Sequence, residues 1–380
     1  MAQRVKTDWI LFLTVLVMVT FGLVVVYSAS SVVAELRYDE RSYYFLVRQV
    51  IAALLGFGLL MLIKNRDYKS LRTPTWVFGL LGVVLMLLVA VYFTDPRTRR
   101  WIRFGPAQFQ PSEFAKPILI IFLAYIVSKR AFMINNRHTL LSAALAVAAV
   151  VGIVAFPDLG TAIVLAVTAT VMFCVAGLER RFIAGALIAA ALAGGLLILA
   201  KPYRLIRVLG YFDPEYKILE RFDRNGMVQR YATSTLASRD PNYQARQSRI
   251  AIGAGGVLGV GLMQGKQKLL YLPEAHTDFI YAVIGEELGF WGCTAVLAGF
   301  LVILWRGMRL YLYAADDFGR YLALGVTSCI VFQALFHITV VLGIGPTKGI
   351  PLPMISYGGS SLVSTLASLG LLLSVSERTG

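Results

Sequence analysis

Ten stretches of about twenty mostly apolar residues recur along this chain, and a stretch of that composition has few ways to fold. As a helix it is as long as the hydrocarbon core of a bilayer is thick. The stretches fall near residues 9–28, 46–63, 76–94, 112–128, 139–156, 159–177, 182–200, 279–305, 320–343 and 358–376. Inside hydrocarbon every backbone amide must find its partner within the segment, which leaves α-helix as the form for such runs. The prediction is an all-α polytopic membrane protein with about ten transmembrane helices. Of the 380 residues, 58% are hydrophobic and 15% charged, so no stretch is left over for a separate soluble catalytic domain. One integral membrane domain over 1–380 is expected, with a single large loop at about 201–278 between helices 7 and 8. The first run, Trp9 to Tyr27, is too long for the core of a cleaved signal and reads as a retained helix.

An even helix number puts both termini on one side, and the basic residues of the short connections say which. With the termini inside, fifteen Lys and Arg fall in inner segments and seven in short outer ones. The termini are therefore expected in the cytoplasm, with the long loop outside. The net charge of +15 is spread over many short connections, which points to anionic headgroups and phosphate-bearing lipids and away from nucleic acid. Cys174, Cys293 and Cys329 lie within apolar runs without metal-type spacing, and read as packing residues.

Charge placed against this bias marks candidate chemistry. The outer loop after the third helix carries Arg97, Arg99, Arg100 and Arg103 and then runs into Gln110-Pro-Ser-Glu-Phe-Ala-Lys116, where Glu113 and Lys116 share a helix face. Two readings stand: a structural ion pair, or a phosphate clamp built from Lys116 and the arginines before it. Asp158 in Pro157-Asp-Leu-Gly-Thr-Ala162 reads as a helix cap, or as a group that holds a metal or orients a basic residue. The long loop opens with Lys201, Arg204 and Arg207 and holds twelve Lys or Arg against seven Asp or Glu through Asp278, favouring an anionic ligand. A glycine-rich run near 253–261 lacks the strand-and-helix context of a dinucleotide site, and no organic cofactor is expected. It reads as a surface-lying or re-entrant segment packed on the helices.

Leu272-Pro-Glu-Ala-His-Thr-Asp-Phe279 leads directly into an apolar run. A carboxylate at Asp278 would sit where water meets hydrocarbon, where solvation is poor enough to raise its proton affinity toward that of a working base. Glu286 and Glu287 follow two turns into the helix, as buried ionisable groups with either a function or a cation such as Arg48 to pair with. His337 reads as a hydrogen-bonded packing residue. The proline- and glycine-rich segment before the last helix carries Lys348, within reach of the outer site.

Four of these stretches resemble, in order, those of the SEDS family of membrane proteins for shape, elongation, division and sporulation: Arg100-Trp101 with Gln110–Lys116, Pro157–Ala162, Leu272–Phe279, and Pro351-Leu-Pro-Met-Ile-Ser-Tyr-Gly-Gly-Ser-Ser361. The likeness runs along essentially the whole chain and is nearer the division branch than the elongation branch. Two departures stand out. Phe156 replaces a Gln common in the family, and 217–239 reads as an insertion.

The resemblance implies an inverting peptidoglycan glycosyltransferase of the bacterial cytoplasmic membrane. It would polymerise lipid II onto an undecaprenyl-linked glycan, beside a class B penicillin-binding protein and other divisome or elongasome membrane proteins. Asp278 is then the catalytic residue. Arg100, Lys116, Arg204, Arg207 and Lys348 become candidates for binding the substrate's diphosphate, Glu113, Asp158 and Glu286 support them, and a divalent cation, Mg2+ or Mn2+, assists. Composition alone also admits a lipid II flippase, with intramembrane charges lining a path, or a non-catalytic scaffold for the penicillin-binding protein.

Overall fold

A computed structural model describes residues 7–38, 41–105, 107–130, 134–200, 204, 208, 211–212, 241–346 and 348–379. Among these are eleven α-helices and one two-stranded hairpin. They are α1 (Trp9–Tyr38), α2 (Tyr44–Asn65), α3 (Pro74–Thr94), α4 (Pro111–Arg130), α5 (Arg137–Ala155), α6 (Leu159–Val175), α7 (Arg180–Leu199), α8 (Pro241–Gly255), α9 (Ile280–Tyr313), α10 (Asp317–Val341) and α11 (Gly359–Ser376). All ten expected helices are present, and α8 is added within the long loop. Nine are long and apolar enough to cross a membrane; α6 is apolar but shorter, at 17 residues.

The bundle is ordered inside out with respect to polarity. The two least apolar of the nine spans, α4 and α11, are each 83% buried, whereas α7 is wholly unburied. Hydrocarbon solvates Leu and Val on the rim, so what needs protein around it is the polar side chain, and helices carrying such groups move to the centre. Around α4 pack α3, α6, α10 and α11; α11 in turn lies along α2, and α9 packs on α1 and α10.

At one end of the bundle the connections α3–α4, α5–α6, α9's approach and α10–α11 meet. The α3–α4 connection folds into an antiparallel hairpin, β1 (Ile102–Phe104) and β2 (Ala107–Phe109), with Ile102 opposite Phe109. The Ser360 hydroxyl at the start of α11 pins this hairpin, donating to the Gln108 carbonyl (3.3 Å) and accepting the Gln110 amide (3.1 Å). At the opposite end Asp8 pairs with Arg306 (2.7 Å), Lys64 with Glu377 (3.0 Å) and Arg378 with Asp67 (3.4 Å), and the Thr7 hydroxyl donates to Glu377 (2.9 Å), tying the two ends of the described chain together.

Helix α9 is broken at Gly289, whose φ of 63° and ψ of −156° suit glycine alone. The segment after α8 fills the break: the amides of Val260 and Gly261 donate to the carbonyls of Glu286 and Glu287, and Phe290's amide to that of Gly256. Backbone groups released by the break are thus repaired by a loop, as hydrocarbon requires. The glycine-rich run is therefore a helix end and a wedge in α9.

Candidate active site

Asp278 lies in the turn that feeds α9. The carbonyl of Glu274 accepts the amides of Thr277 (3.2 Å), Asp278 (3.0 Å) and Phe279 (3.3 Å), so three successive residues are folded over one oxygen. The turn is then stitched to the segment before α11. The Ser356 hydroxyl donates to Thr277's carbonyl (2.6 Å) and accepts Leu352's amide (2.8 Å), while Tyr357's amide donates to His276's carbonyl (3.0 Å). Gln49 of α2 clamps the far side, donating to Ser356's carbonyl and accepting Gly358's amide, each at 3.1 Å. Three hydrogen bonds within the turn and two from the segment before α11, itself braced by Gln49, hold the Asp278 backbone, a rigidity a positioned base needs.

The part-buried Asp278 carboxylate rests against the backbone of Gly349, where any side chain would collide with its oxygens. Glycine at 349 therefore lets the Lys348 segment close over the acid. From there Lys348 runs across the start of α6: a Cβ on Gly160 would meet Lys348's Cε at 3.1 Å and Ile350's Cγ1 at 2.6 Å. Its ammonium ends 3.8 Å from Asp158, and Arg100 approaches the same carboxylate oxygen at 3.9 Å. Arg100 also donates through Nε to Pro157's carbonyl (2.9 Å).

Asp158 is both cap and counter-ion. Its carboxylate accepts the amides of Gly160 (3.1 Å) and Thr161 (3.4 Å) and the Thr161 hydroxyl (3.0 Å). Burial raises its proton affinity, but Arg100, Lys348 and the Thr161 groups together outweigh this and hold the carboxyl below the usual aspartate range. It stays charged and fixes Arg100 and Lys348, the latter next in the chain to the Gly349 that meets Asp278.

The other candidates are spent differently. Lys116, 6% exposed, is bonded to Glu113 and to Gln333, both at 2.7 Å. Gln333 donates on to Pro351's carbonyl (2.8 Å), so the Glu113–Lys116 pair reaches the site by bracing the segment before α11. His337 does the same through Ile350's carbonyl (2.7 Å). Arg204, 5% exposed, donates to the carbonyls of Phe156 (2.6 Å), Ala155 (3.4 Å) and Leu197 (3.2 Å), a cation closing the negative ends of α5 and α7. Arg207 and the 217–239 insertion lie outside the described residues.

The structure corrects one pairing. Glu287 binds Lys268 (2.6 Å) and the Ser28 hydroxyl (2.7 Å), all buried, while Glu286 accepts the amides of Lys266 (2.7 Å) and Gln267 (3.2 Å). Arg48 takes no part and instead lies over the Tyr44 ring, 4.4 Å from its centroid. Lys268 reaches Glu287 because the wedge in α9 draws its loop inward. No feature of the linear pattern distinguished Ser356, Gln49 or Gly349. An amide in the first turns of α2 and a serine among prolines and glycines were the only traces.

Among the described residues no three His, Cys, Asp or Glu side chains come together as metal ligands, and Asp158 is matched by two cations. The arrangement offers one carboxylate, Asp278, against Gly349, with Lys348 next in the chain and Arg100 sharing Asp158 with it. A base with fixed cations nearby suits displacement of an anionic leaving group by a hydroxyl.

The family model for cell cycle proteins of the FtsW, RodA and SpoVE type matches residues 8–380. A relative from Trichlorobacter lovleyi, named a probable peptidoglycan glycosyltransferase FtsW, is 40% identical over 97% of this chain and 93% of its own. Stage V sporulation protein E of Bacillus subtilis is 38% identical over 99% of this chain and 98% of its own. Among solved structures, a chain from a peptidoglycan synthase complex that coordinates polymerization and crosslinking superposes with a TM-score of 0.75 at 30% identity. That match covers 98% of this chain and 99% of that one.

Proposed function

Because this chain belongs to the FtsW, RodA and SpoVE family of cell cycle proteins, we propose that it is a peptidoglycan glycosyltransferase polymerising lipid II at the outer face of the bacterial cytoplasmic membrane. The observation that carries the mechanism is the placement of Asp278: a part-buried carboxylate on a turn held from two sides, closed over by Gly349 and flanked by Lys348. Asp278 takes the proton from the 4-hydroxyl of the acceptor N-acetylglucosamine. The oxygen attacks the anomeric carbon of the lipid-linked donor with inversion, and the C–O bond to the diphosphate breaks. The growing negative charge on the leaving diphosphate is met by Lys348 and Arg100, which Asp158 holds in place. Side chains of this chain carry both the proton transfer and the charge.

The same distribution weighs against a translocation path, because charges in the bundle are already engaged: Glu113 with Lys116, Glu287 with Lys268, Glu286 with the Lys266 and Gln267 amides, and Arg48 over the Tyr44 ring. A transpeptidase penicillin-binding protein as partner fits the likeness to the synthase complex in which polymerization and crosslinking are coordinated.

The test is polymerisation of lipid II by the purified protein in detergent with its partner present, a format with no second compartment for flipping. Glycan strands are expected from the wild type. Asp278→Ala should lower the rate by roughly 100- to 10,000-fold, the usual worth of a positioned general base. Wild-type strand synthesis by that variant would remove Asp278 from the mechanism.

A further inference from the structure

His276 lies two residues before Asp278, and its ring has a setting that the proposed mechanism does not use. The turn it belongs to is strained at its hub. Glu274, whose carbonyl gathers the amides of Thr277, Asp278 and Phe279, takes a φ of 55°, a left-handed conformation that a residue with a Cβ resists. Such a turn keeps its shape only where its surroundings over-determine it. The tolerance is small, because the Asp278 carboxylate lies so close to Gly349 that a Cβ there would collide with it. A slight rotation of the turn would press the acid into that backbone or swing it away from an incoming hydroxyl.

Three rings supply the constraint. His276 stands 4.8 Å from Phe45 and 5.7 Å from Tyr357, centroid to centroid, and Phe45 meets Tyr357 edge-on at 5.1 Å. Each ring thus packs on the other two, and they come from α2, the Asp278 turn and the segment before α11. His276 and Phe45 are buried and Tyr357 is half-buried. Phe45 lies one turn before Gln49, so one face of α2 presents an aromatic rung and an amide rung to the site. Tyr357 grips His276 twice, ring against ring and through its amide on the His276 carbonyl (3.0 Å). Tilted and edge-on contacts between rings fix direction as well as distance.

We infer that His276 is a positioning residue: its ring, locked with those of Phe45 and Tyr357, sets the direction in which Asp278 presents its carboxylate, as an aromatic plate and without carrying a proton. This rests on the glycosyltransferase reading and deepens it. A histidine beside a general base could equally be its proton partner, and the two roles differ in which side chain can replace it.

The test is steady-state polymerisation of lipid II across pH by the full-length purified protein with its transpeptidase partner, beside hydrogen exchange of the 277–279 amides. His276→Ala should lower kcat roughly 10- to 100-fold, the scale of a misplaced catalytic group, with KM within a few-fold. His276→Phe keeps a plate without a nitrogen, and should restore kcat to within about 5-fold of wild type with the pH profile unshifted. His276→Gln keeps polarity without the plate and should fall as His276→Ala does. Phe45→Leu should lower kcat by about 3- to 10-fold. Added to His276→Ala it should cost little more, since both remove one clamp. Exchange of the three amides should quicken in His276→Ala and Phe45→Leu but not in His276→Phe.

A wild-type kcat in His276→Ala would overturn the proposal. So would an active His276→Gln beside an inactive His276→Phe, which would make the ring nitrogens the working part. Should His276→Ala fail to fold, Phe45→Leu and the comparison of Phe with Gln decide the same question. A wild-type protein that makes no glycan, with exchange that still follows the plate, would sink the glycosyltransferase reading and leave the clamp standing. Glycan synthesis with exchange unaltered in His276→Ala and Phe45→Leu would do the reverse.

Discussion

The molecule holds two kinds of charge cluster, and they differ in distance. Within the helices, Glu113 meets Lys116 at 2.7 Å and Glu287 meets Lys268 at 2.6 Å, with every side chain almost fully buried. At the end of the bundle near Asp278, Asp158 stands 3.8 Å from Lys348 and 3.9 Å from Arg100, and Lys348 and Arg100 are 15% and 34% exposed. Close pairs cancel charge, because a buried ion left unmatched is costly. Loose ones hold charge in position without cancelling it, which a site for an anionic leaving group requires. In the proposed mechanism the close pairs are scaffold and the loose cluster is the working part.

The largest effect that can break this distinction is at the scaffold. Glu287→Gln leaves Lys268 buried without its counter-charge and should cost about 3–5 kcal/mol of stability, seen as a lower unfolding midpoint. Replacing both, Lys268→Met with Glu287→Leu, should recover most of it. Intact stability in Glu287→Gln with a selective loss of polymerisation would move that pair into the working part.

Lys348→Ala tests the other side. It should lower polymerisation roughly 100-fold, as loss of one preorganised charge does, with a stability change of about 1 kcal/mol or less, as for a partly exposed pair. An equal fall in both readouts would make Lys348 another strut.

The smallest effect is in acid. Asp158 is held below its ordinary pKa of 3.8, so the stability it contributes is complete above that value and fades as pH falls through its lower folded pKa. The wild-type unfolding midpoint should therefore carry a drop confined to pH below about 4, and Asp158→Asn should flatten it. A drop of the same size in Asp158→Asn would assign the acid limb to other carboxylates.

The helices were legible because hydrocarbon leaves apolar runs no alternative fold, and eight of the ten appear within three residues of where hydropathy puts them. Two run past their expected ends: α1 continues to Tyr38, beyond 28, and α9 to Tyr313, beyond 305, where Arg306 is matched by Asp8. Asp278, Asp158, Arg100 and Lys348 were legible as charges out of place. What the pattern could not show is what tertiary contact alone decides. Lys268 looks like a loop lysine until the wedge at Gly289 buries it, and Lys116 looks like a phosphate ligand until Gln333 arrives from α10. Ser356 and Gln49 act through backbone hydrogen bonds that no residue spacing encodes.

The central claim is that the Asp278 carboxylate acts as base while its turn is held by others. Asp278→Asn keeps the shape and removes the charge, so the decisive measurement is its lipid II polymerisation rate beside its unfolding midpoint. The account predicts a rate lower by at least about 100-fold at an unchanged midpoint. A rate within a few-fold of wild type would contradict it.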